Sequence, residues 1–202
     1  MKKILFWAGR GQNLKILENF RNELIKAGFK IEYINIKYDE GELLPNKWKQ
    51  VSDNNADWWI GISLGAALLY YSANYAKENK PKRITLINPF SSRKILSEEK
   101  GFDLSNQWEF SPKNCMLNID NMDVVLSTYD TKIPMYHGIE LLNKTICNNK
   151  KIVFVDSNHT IDNINAQIEL SDILIENESS NGGNDNERYN YCNIYKLSLI
   201  HI

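Results

Sequence analysis

Short apolar runs alternate along this chain with longer segments in which apolar side chains recur at helical spacing. The short runs are typical of buried strands, and the longer segments are typical of amphipathic helices. The predicted strands are 4–7, 30–37, 58–62, 83–87, 123–127 and 151–155; the predicted helices are 14–25, 66–77, 135–146 and 161–174, with a weaker one around Trp48. Because strands that alternate with helices need crossover connections, we expect an α/β fold, a three-layer α/β/α sandwich around a mainly parallel sheet of about five to six strands.

Two segments depart from this alternation. Residues 88–121 are too long for a simple connection, so we expect a lid or irregular insertion there with one or two short helices. Residues 176–202 begin with a polar, glycine-containing stretch that is typical of a linker or a disordered tail, and their last residues resemble translated adapter sequence. The predicted organisation is therefore one domain over residues 1–175, followed by a tail to which we assign no function.

Composition narrows the class of protein. The 202 residues are 43% hydrophobic and 24% charged with a formal net charge of −1, and their Lys and Arg are scattered, so no nucleic-acid partner is expected. The three cysteines form no CxxC pair, which argues against a disulfide framework and a zinc site; we predict neither a metal nor a cofactor. No apolar stretch is long enough for a membrane span. These features favour a reduced, cytoplasmic protein.

The run Gly61-Ile62-Ser63-Leu64-Gly65 joins a predicted strand directly to a predicted helix. A serine in such a tight turn is held in a strained conformation with its hydroxyl above the sheet, and larger side chains at 61 and 65 would clash. The amides at the start of the helix also point towards developing negative charge. We therefore predict that Ser63 is a nucleophile and that the N–H of Leu64 is one donor of an oxyanion hole.

A serine nucleophile needs a base, which is most often a histidine. His159 follows the last predicted strand, so its loop can reach the carboxyl edge of the sheet, where Ser63 is expected. His137 lies inside a predicted helix, where a surface or packing role is expected, and His201 lies in the tail. We predict His159 as the base; a solvated loop histidine is the alternative.

An acidic residue must orient that histidine. Asp130 comes shortly after the strand at 123–127, which gives the chain order Ser, Asp, His that such sites use. A turn or helix-capping role is the alternative for Asp130. Asp156 is a second candidate acid, but it lies on the same loop as His159, and an asparagine, Asn88, rather than a carboxylate follows the strand at 83–87.

Together, the motifs over residues 2–172 resemble a compact α/β-hydrolase. The run 61–65 matches the nucleophile elbow of that family, and Asp130 with Pro134 resembles its Asp-x-x-x-Pro acid loop. Asn158-His159 resembles its Gly-His loop, with asparagine in place of glycine. The most similar subgroups are small serine esterases without a cap or with a short lid, and acyl-carrier thioesterases, including the pimeloyl-carrier methyl esterase type.

The glycine-rich turn after the first strand resembles the His-Gly-x-Gly oxyanion turn of the same family. Here it reads Ala8-Gly9-Arg10-Gly11, with alanine in place of histidine. By position, the resemblance implies that the N–H of Arg10 is the second oxyanion donor. The alternative is that the glycines only make a tight strand-to-helix turn.

The resemblance implies a serine hydrolase that cleaves a carboxylic ester or thioester through an acyl-enzyme at Ser63. Its expected partner is a small-molecule acyl ester or thioester, free or carrier-bound. Trp7, Trp108 and Phe110 are candidates to line an acyl pocket, although core packing explains them equally well. A thioesterase or acyltransferase with the same triad and a non-catalytic α/β binding protein are the alternative functions.

Overall fold

A computed structural model describes residues 2–10, 15–34, 55–76, 80–101 and 112–180 of the chain. These ranges contain six strands, five α-helices and one 3-10 turn. In chain order they are β1 (Lys3–Trp7), α1 (Glu18–Lys26), β2 (Lys30–Ile34), β3 (Trp58–Ile62), α2 (Leu64–Tyr75), β4 (Arg83–Ile87), α3 (Arg93–Lys100), the 3-10 turn (Pro112–Asn114), β5 (Asn118–Ser127), α4 (Tyr136–Lys144), β6 (Ile146–Val155) and α5 (Ile164–Ser180).

The six strands form one parallel sheet in the order β2-β1-β3-β4-β5-β6. The predicted parallel α/β sheet is therefore confirmed, with six strands. Its register places Trp7 opposite Gly61, and Ile62 opposite Ile87, so that β1, β3 and β4 end together. Since all strands run the same way, the loops that follow them lie at one edge of the sheet, which we call the carboxyl edge.

Two hydrophobic clusters cover the two faces of the sheet, which makes the fold a three-layer sandwich. Alternate side chains of each buried strand point to opposite faces, so that Leu5 belongs to one cluster and Ile4 to the other. Helices α2 and α4 pack on the first face, for example through Leu68, whereas α1 and α5 pack on the second, for example through Leu170. Burial of each such side chain contributes about 1.5–3 kcal/mol.

Helix α5 is longer than predicted and ends beyond residue 175, where the predicted domain ends. It runs to Ser180, because Glu178 is held at the amino edge of the sheet by Lys2 and Arg83, at 2.8 and 3.1 Å. Residues 176–180 of the polar stretch therefore belong to this helix. The remainder of the predicted tail, 181–202, lies outside the described residues.

The predicted insertion at 88–121 contains α3 and the 3-10 turn, in agreement with the expected short helices. Residues 102–111, the centre of this insertion, lie outside the described residues, as does the weak helix predicted around Trp48. Over the ranges that are described, no helix is long and apolar enough to cross a membrane.

Candidate active site

Ser63 occupies a strained turn between β3 and α2, as the sequence predicts. Its backbone angles are φ 56° and ψ −124°, a conformation that residues with a side chain rarely adopt. The turn is tied to the neighbouring strand because the Ser63 N–H donates to the carbonyl of Ile87 at 2.8 Å. The serine is thereby held at the carboxyl edge of the sheet, immediately before the first turn of α2.

The two glycines of this turn are required by close backbone contacts. A Cβ on Gly61 would lie 2.8 Å from the Cα of Ala66, and one on Gly65 would lie 2.3 Å from the carbonyl oxygen of Trp7. Both contacts are shorter than any side chain tolerates, and both are made with main chain that cannot rotate away. The second contact also shows that the turn after β1 lies directly against the start of α2.

His159 lies in the loop after β6 and contacts both other members of the predicted triad. Its Nε2 is 3.0 Å from the Ser63 Oγ, and its Nδ1 is 2.7 Å from the Oδ2 of Asp130. Because a carboxylate only accepts hydrogen bonds, Nδ1 carries the proton and donates to Asp130. Nε2 is then free to accept from the Ser63 hydroxyl, which is the arrangement that general-base activation of a serine requires.

Asp130 uses its two oxygens differently. While Oδ2 accepts from His159, Oδ1 accepts from the N–H groups of Lys132 and Ile133 at 2.8 and 2.9 Å. Burial by itself would raise the pKa of Asp130, but these hydrogen bonds outweigh it and hold the pKa below its ordinary value of 3.8. Asp130 therefore makes both the turn contacts and the histidine contact that the sequence left as alternatives.

Asp156, the second candidate acid, is directed elsewhere. It is exposed, and its Oδ1 accepts from the hydroxyl of Thr128 at 3.2 Å. In the part of the chain that is described, the carboxylate next to the His159 ring is that of Asp130.

The predicted oxyanion donors lie on two elements that touch. Leu64 is the first residue of α2, so its N–H is among the amides that have no acceptor within the helix. Arg10 is exposed and lies in the turn after β1, which contacts the start of α2 through the carbonyl oxygens of Trp7 and Ala8. Residues 11–14, the next in the chain, lie outside the described residues. The donation of two amides to one oxyanion remains a prediction.

Of the three aromatic residues predicted to bind substrate, the structure describes only Trp7. Trp7 is fully buried and packs on Trp59, with ring centroids 6.1 Å apart, so its observed contacts are those of a core residue. Trp108 and Phe110 lie outside the described residues. The acyl pocket thus stays a prediction for all three.

A second serine–histidine contact occurs away from this site. Ser91 and His137 are both fully buried, and the Ser91 Oγ is 2.9 Å from the Nδ1 of His137. The same hydroxyl also contacts Glu140, while the Nε2 of His137 lies 3.5 Å from Glu99. Burial lowers the pKa of His137 despite these carboxylates. Its lack of exposure marks this pair as a packing contact between α4 and the loop after β4, as expected for His137.

The described residues contain no group of three His, Cys, Asp or Glu side chains arranged to hold a metal ion. Ser63, His159 and Asp130 come instead from three loops that follow β3, β6 and β5, and the parallel register brings those loops to one edge. Such an arrangement is suited to attack by a serine oxygen on an electrophilic carbon or phosphorus centre.

No protein-family model and no curated protein matches the sequence, but solved structures match the fold. The esterase domain of a Rhodothermus marinus protein has a TM-score of 0.66 at 14% identity, over 87% of this chain and 84% of that chain. Alpha/beta hydrolase domain-containing protein 10 from mouse has a TM-score of 0.67 at 12% identity, over 88% and 90% of the two chains. An esterase of Pyrococcus furiosus has a TM-score of 0.66 at 13% identity, over 89% and 82%. At these identities the likeness is one of fold.

Proposed function

Because the chain has the α/β-hydrolase fold and links Ser63, His159 and Asp130 by hydrogen bonds, we propose that it is a serine hydrolase that cleaves a carboxylic ester or thioester. The observation that carries the proposal is the pair of contacts made by one imidazole. Its Nε2 is 3.0 Å from the Ser63 Oγ and its Nδ1 is 2.7 Å from the Asp130 Oδ2. The structural neighbours named as esterases support a hydrolase. The two contacts of the His159 ring support Ser63 as its nucleophile.

In the proposed first step, the Ser63 Oγ attacks the acyl carbon as its proton passes to the Nε2 of His159. Asp130 keeps the other ring proton on Nδ1, so the ring presents a lone pair to the serine and is stabilised once it becomes positively charged. The tetrahedral intermediate then collapses, and His159 gives its proton to the departing alcohol or thiol. This leaves an acyl group on Ser63.

In the second step, water takes the place of the departed alcohol or thiol. His159 removes a proton from the water as it attacks the acyl-enzyme, and the proton returns to Ser63 when the acid leaves. Throughout both steps the negative oxygen is proposed to accept from the N–H groups of Leu64 and Arg10. Removal of one such donor typically costs about 2.7–4 kcal/mol of transition-state stabilisation.

The leaving group and the acceptor define the alternatives within this chemistry. The same three residues serve an ester or a thioester, and a carrier-bound acyl thioester is as compatible as a free one. If an alcohol or amine replaced water in the second step, the protein would be an acyltransferase. A non-catalytic binding protein differs from all of these because it would have no reactive serine.

Fluorophosphonate labelling tests the proposal, since the probe reacts with activated serines. We expect the wild-type protein to be labelled and Ser63→Ala to be unlabelled. Ser91→Ala is the matched control, because Ser91 also contacts a histidine but is fully buried, and it should keep wild-type labelling. Hydrolysis of p-nitrophenyl esters and acyl thioesters should disappear only in Ser63→Ala.

The remaining outcomes separate the alternatives. Absent labelling in a folded wild-type protein, or equal labelling of Ser63→Ala, would overturn the proposal. Labelling at Ser63 without hydrolysis, together with acyl transfer to an added alcohol, would identify an acyltransferase instead.

A further inference from the structure

We infer that Asn88 is a positioning residue of this site, whose side-chain amide fixes the main chain of His159 relative to Ser63; the inference rests on the proposed function. Asn88 is the first residue after β4 and is only 3% exposed. The proposed chemistry assigns it no role. It follows the strand at 83–87, where the sequence has an asparagine and not a carboxylate that could serve as the acid.

The amide of Asn88 joins three segments of the carboxyl edge. Its Nδ2 donates to the carbonyl oxygen of His159 and to the Oγ of Ser127, each at 2.8 Å. Its Oδ1 accepts from the N–H of Ser127, also at 2.8 Å. In addition, the Asn88 N–H donates to the carbonyl of Val125 at 2.9 Å. Both hydrogens of the amide and its oxygen are therefore used, which leaves the side chain no other orientation of equal energy.

These contacts connect the main chains of the base, His159, and the nucleophile, Ser63, to the same end of β4. Ile87, the residue before Asn88, accepts from the Ser63 N–H at 2.8 Å, and Asn88 itself donates to the His159 carbonyl. Two successive residues of β4 and its loop thus hold the main chains of both partners in the 3.0 Å contact between Ser63 and His159. β5 lies between β4 and β6, and β6 is the strand that leads to His159. The hydrogen bond from Asn88 to His159 therefore spans the carboxyl end of β5.

The other bonds of the His159 loop hold different atoms. Tyr129 donates to the Ser157 carbonyl at 3.0 Å, Gln167 donates to the Ile161 carbonyl at 2.8 Å, and Asp130 holds the His159 ring, whereas the bonds of the Asn158 side chain remain inside the loop. Among the described residues, the bond from Asn88 is the one that holds the main chain of His159 itself. Loss of the Asn88 bond would leave the buried His159 carbonyl without its partner and free the loop to shift. A displacement of about 1 Å in a reacting group costs on the order of 10²-fold in rate.

The backbone of Asn88 supports a specific requirement for this residue. Its φ is 46°, in the left-handed region that costs most side chains energy and that asparagine tolerates better than most. Glycine would adopt this φ with less strain but would bring no amide. Aspartate would keep the acceptor for Ser127 but would place a second oxygen against the His159 carbonyl. Only an amide of this length both donates to His159 and accepts from Ser127.

Steady-state kinetics on a p-nitrophenyl ester test the inference with Asn88→Gly and Asn88→Asp. Because the change displaces the base and alters none of the residues proposed to contact the acyl group, we expect kcat to fall by about 10²-fold with KM unchanged, after normalisation to folded protein. Ser127→Ala is the matched control, since it removes one partner of the same amide and leaves the bond to His159. Its kcat should stay close to that of the wild type.

A second measurement does not depend on turnover. The chain has three histidines, so ¹⁵N imidazole spectra are simple, and His159→Gln assigns the His159 signals. In Asn88→Gly and Asn88→Asp the His159 signals should change towards those of a ring that has lost its bond to Asp130. In Ser127→Ala they should stay as in the wild type.

The two readouts keep the inference separate from the proposed function. A wild-type kcat with unchanged His159 signals in Asn88→Gly would overturn the inference while leaving a reactive Ser63 intact. An equal loss of kcat in Ser127→Ala would also overturn it, because general loosening of the edge would then explain the effect. If the wild-type protein is not labelled at Ser63 but the His159 signals still change in both Asn88 variants, the hydrolase proposal fails and the positioning of His159 by Asn88 stands.

Discussion

Gly65 and Ala8 touch through their main chains: a Cβ on Gly65 would lie 2.4 Å from the carbonyl oxygen of Ala8. This contact joins the start of the helix behind Ser63 to the turn that carries Arg10. The proposed oxyanion hole needs an amide from each of these two segments, so their spacing matters for chemistry as well as for folding.

Gly65→Ala should therefore weaken both stability and reactivity. The added methyl must displace main chain, and we expect a loss of about 1–3 kcal/mol in the free energy of unfolding, measured by urea denaturation, with slower fluorophosphonate labelling of the folded fraction. Gly138→Ala is the matched control. Its methyl would meet the buried side chains of Leu126 and Val124, at 2.7 and 2.9 Å, so it should also destabilise the fold, but it lies in another helix than Gly65 and touches no main chain of the turn that carries Arg10. Labelling of its folded fraction should therefore stay as in the wild type, and equally slowed labelling in the two variants would contradict this explanation.

Asp130→Asn should remove most of the activity while leaving the fold in place. The asparagine oxygen can still accept from Lys132 and Ile133, but its NH₂ would face the Nδ1 of His159 and select the tautomer whose proton points at Ser63. We expect kcat to fall by about 10⁴-fold, measured with a p-nitrophenyl ester. Asp156→Asn is the control and should retain wild-type kcat; a large loss there instead would reassign the acid.

Acid should selectively remove the stabilisation that Asp130 provides. Its pKa is lower in the folded protein than in the unfolded chain, so the unfolded chain binds the proton first as the pH falls. The stabilisation is complete above about pH 5 and is lost as the pH falls below about 4 towards the folded pKa. The difference in unfolding free energy between wild type and Asp130→Asn should therefore narrow over that interval. A difference independent of pH would contradict the assignment.

Arg83 should be important for stability but not for reactivity. It is buried at the amino edge, 2.8 Å from Asp123, 3.1 Å from the Leu174 carbonyl, and 4.1 Å above the ring centre of Trp58. Arg83→Met leaves the buried Asp123 without its charge partner, and we expect a loss of about 3–5 kcal/mol in urea denaturation. The double variant Arg83→Met, Asp123→Leu should recover part of that loss. Ser63 labelling of the folded fraction should be unchanged in both.

The buried strands and the order of the site residues could be predicted from the sequence because their signals are local. Strands β3 and β4 have the predicted bounds: β3 is a continuous apolar run apart from Gly61, and the apolar side chains of β4 are interrupted only by Thr85. Strands β5 and β6 begin at Asn118 and Ile146, several residues before the apolar runs at 123–127 and 151–155. Their first residues pair with each other beyond the amino end of β4, where buried Ile119 is flanked by polar residues and no continuous apolar run forms.

The contacts that sequence reasoning missed depend on residues far apart in the chain. The amide of Asn88 reaches Ser127 and His159, which are 39 and 71 positions away. The end of α5 depends on Glu178 and Arg83, which are 95 positions apart. Asparagine after a strand and glutamate in a polar stretch are common in loops and surfaces, so neither residue type signals a buried partner.

The backbone at Ser63 has a consequence for how this sequence changes over time. A serine at φ 56° and ψ −124° costs of the order of 1–3 kcal/mol that a glycine at the same place would largely avoid. Under selection for stability alone, a glycine would be favoured over the serine at position 63. A serine at 63 is thus a stability cost that the rest of the fold must offset for as long as the lineage retains it.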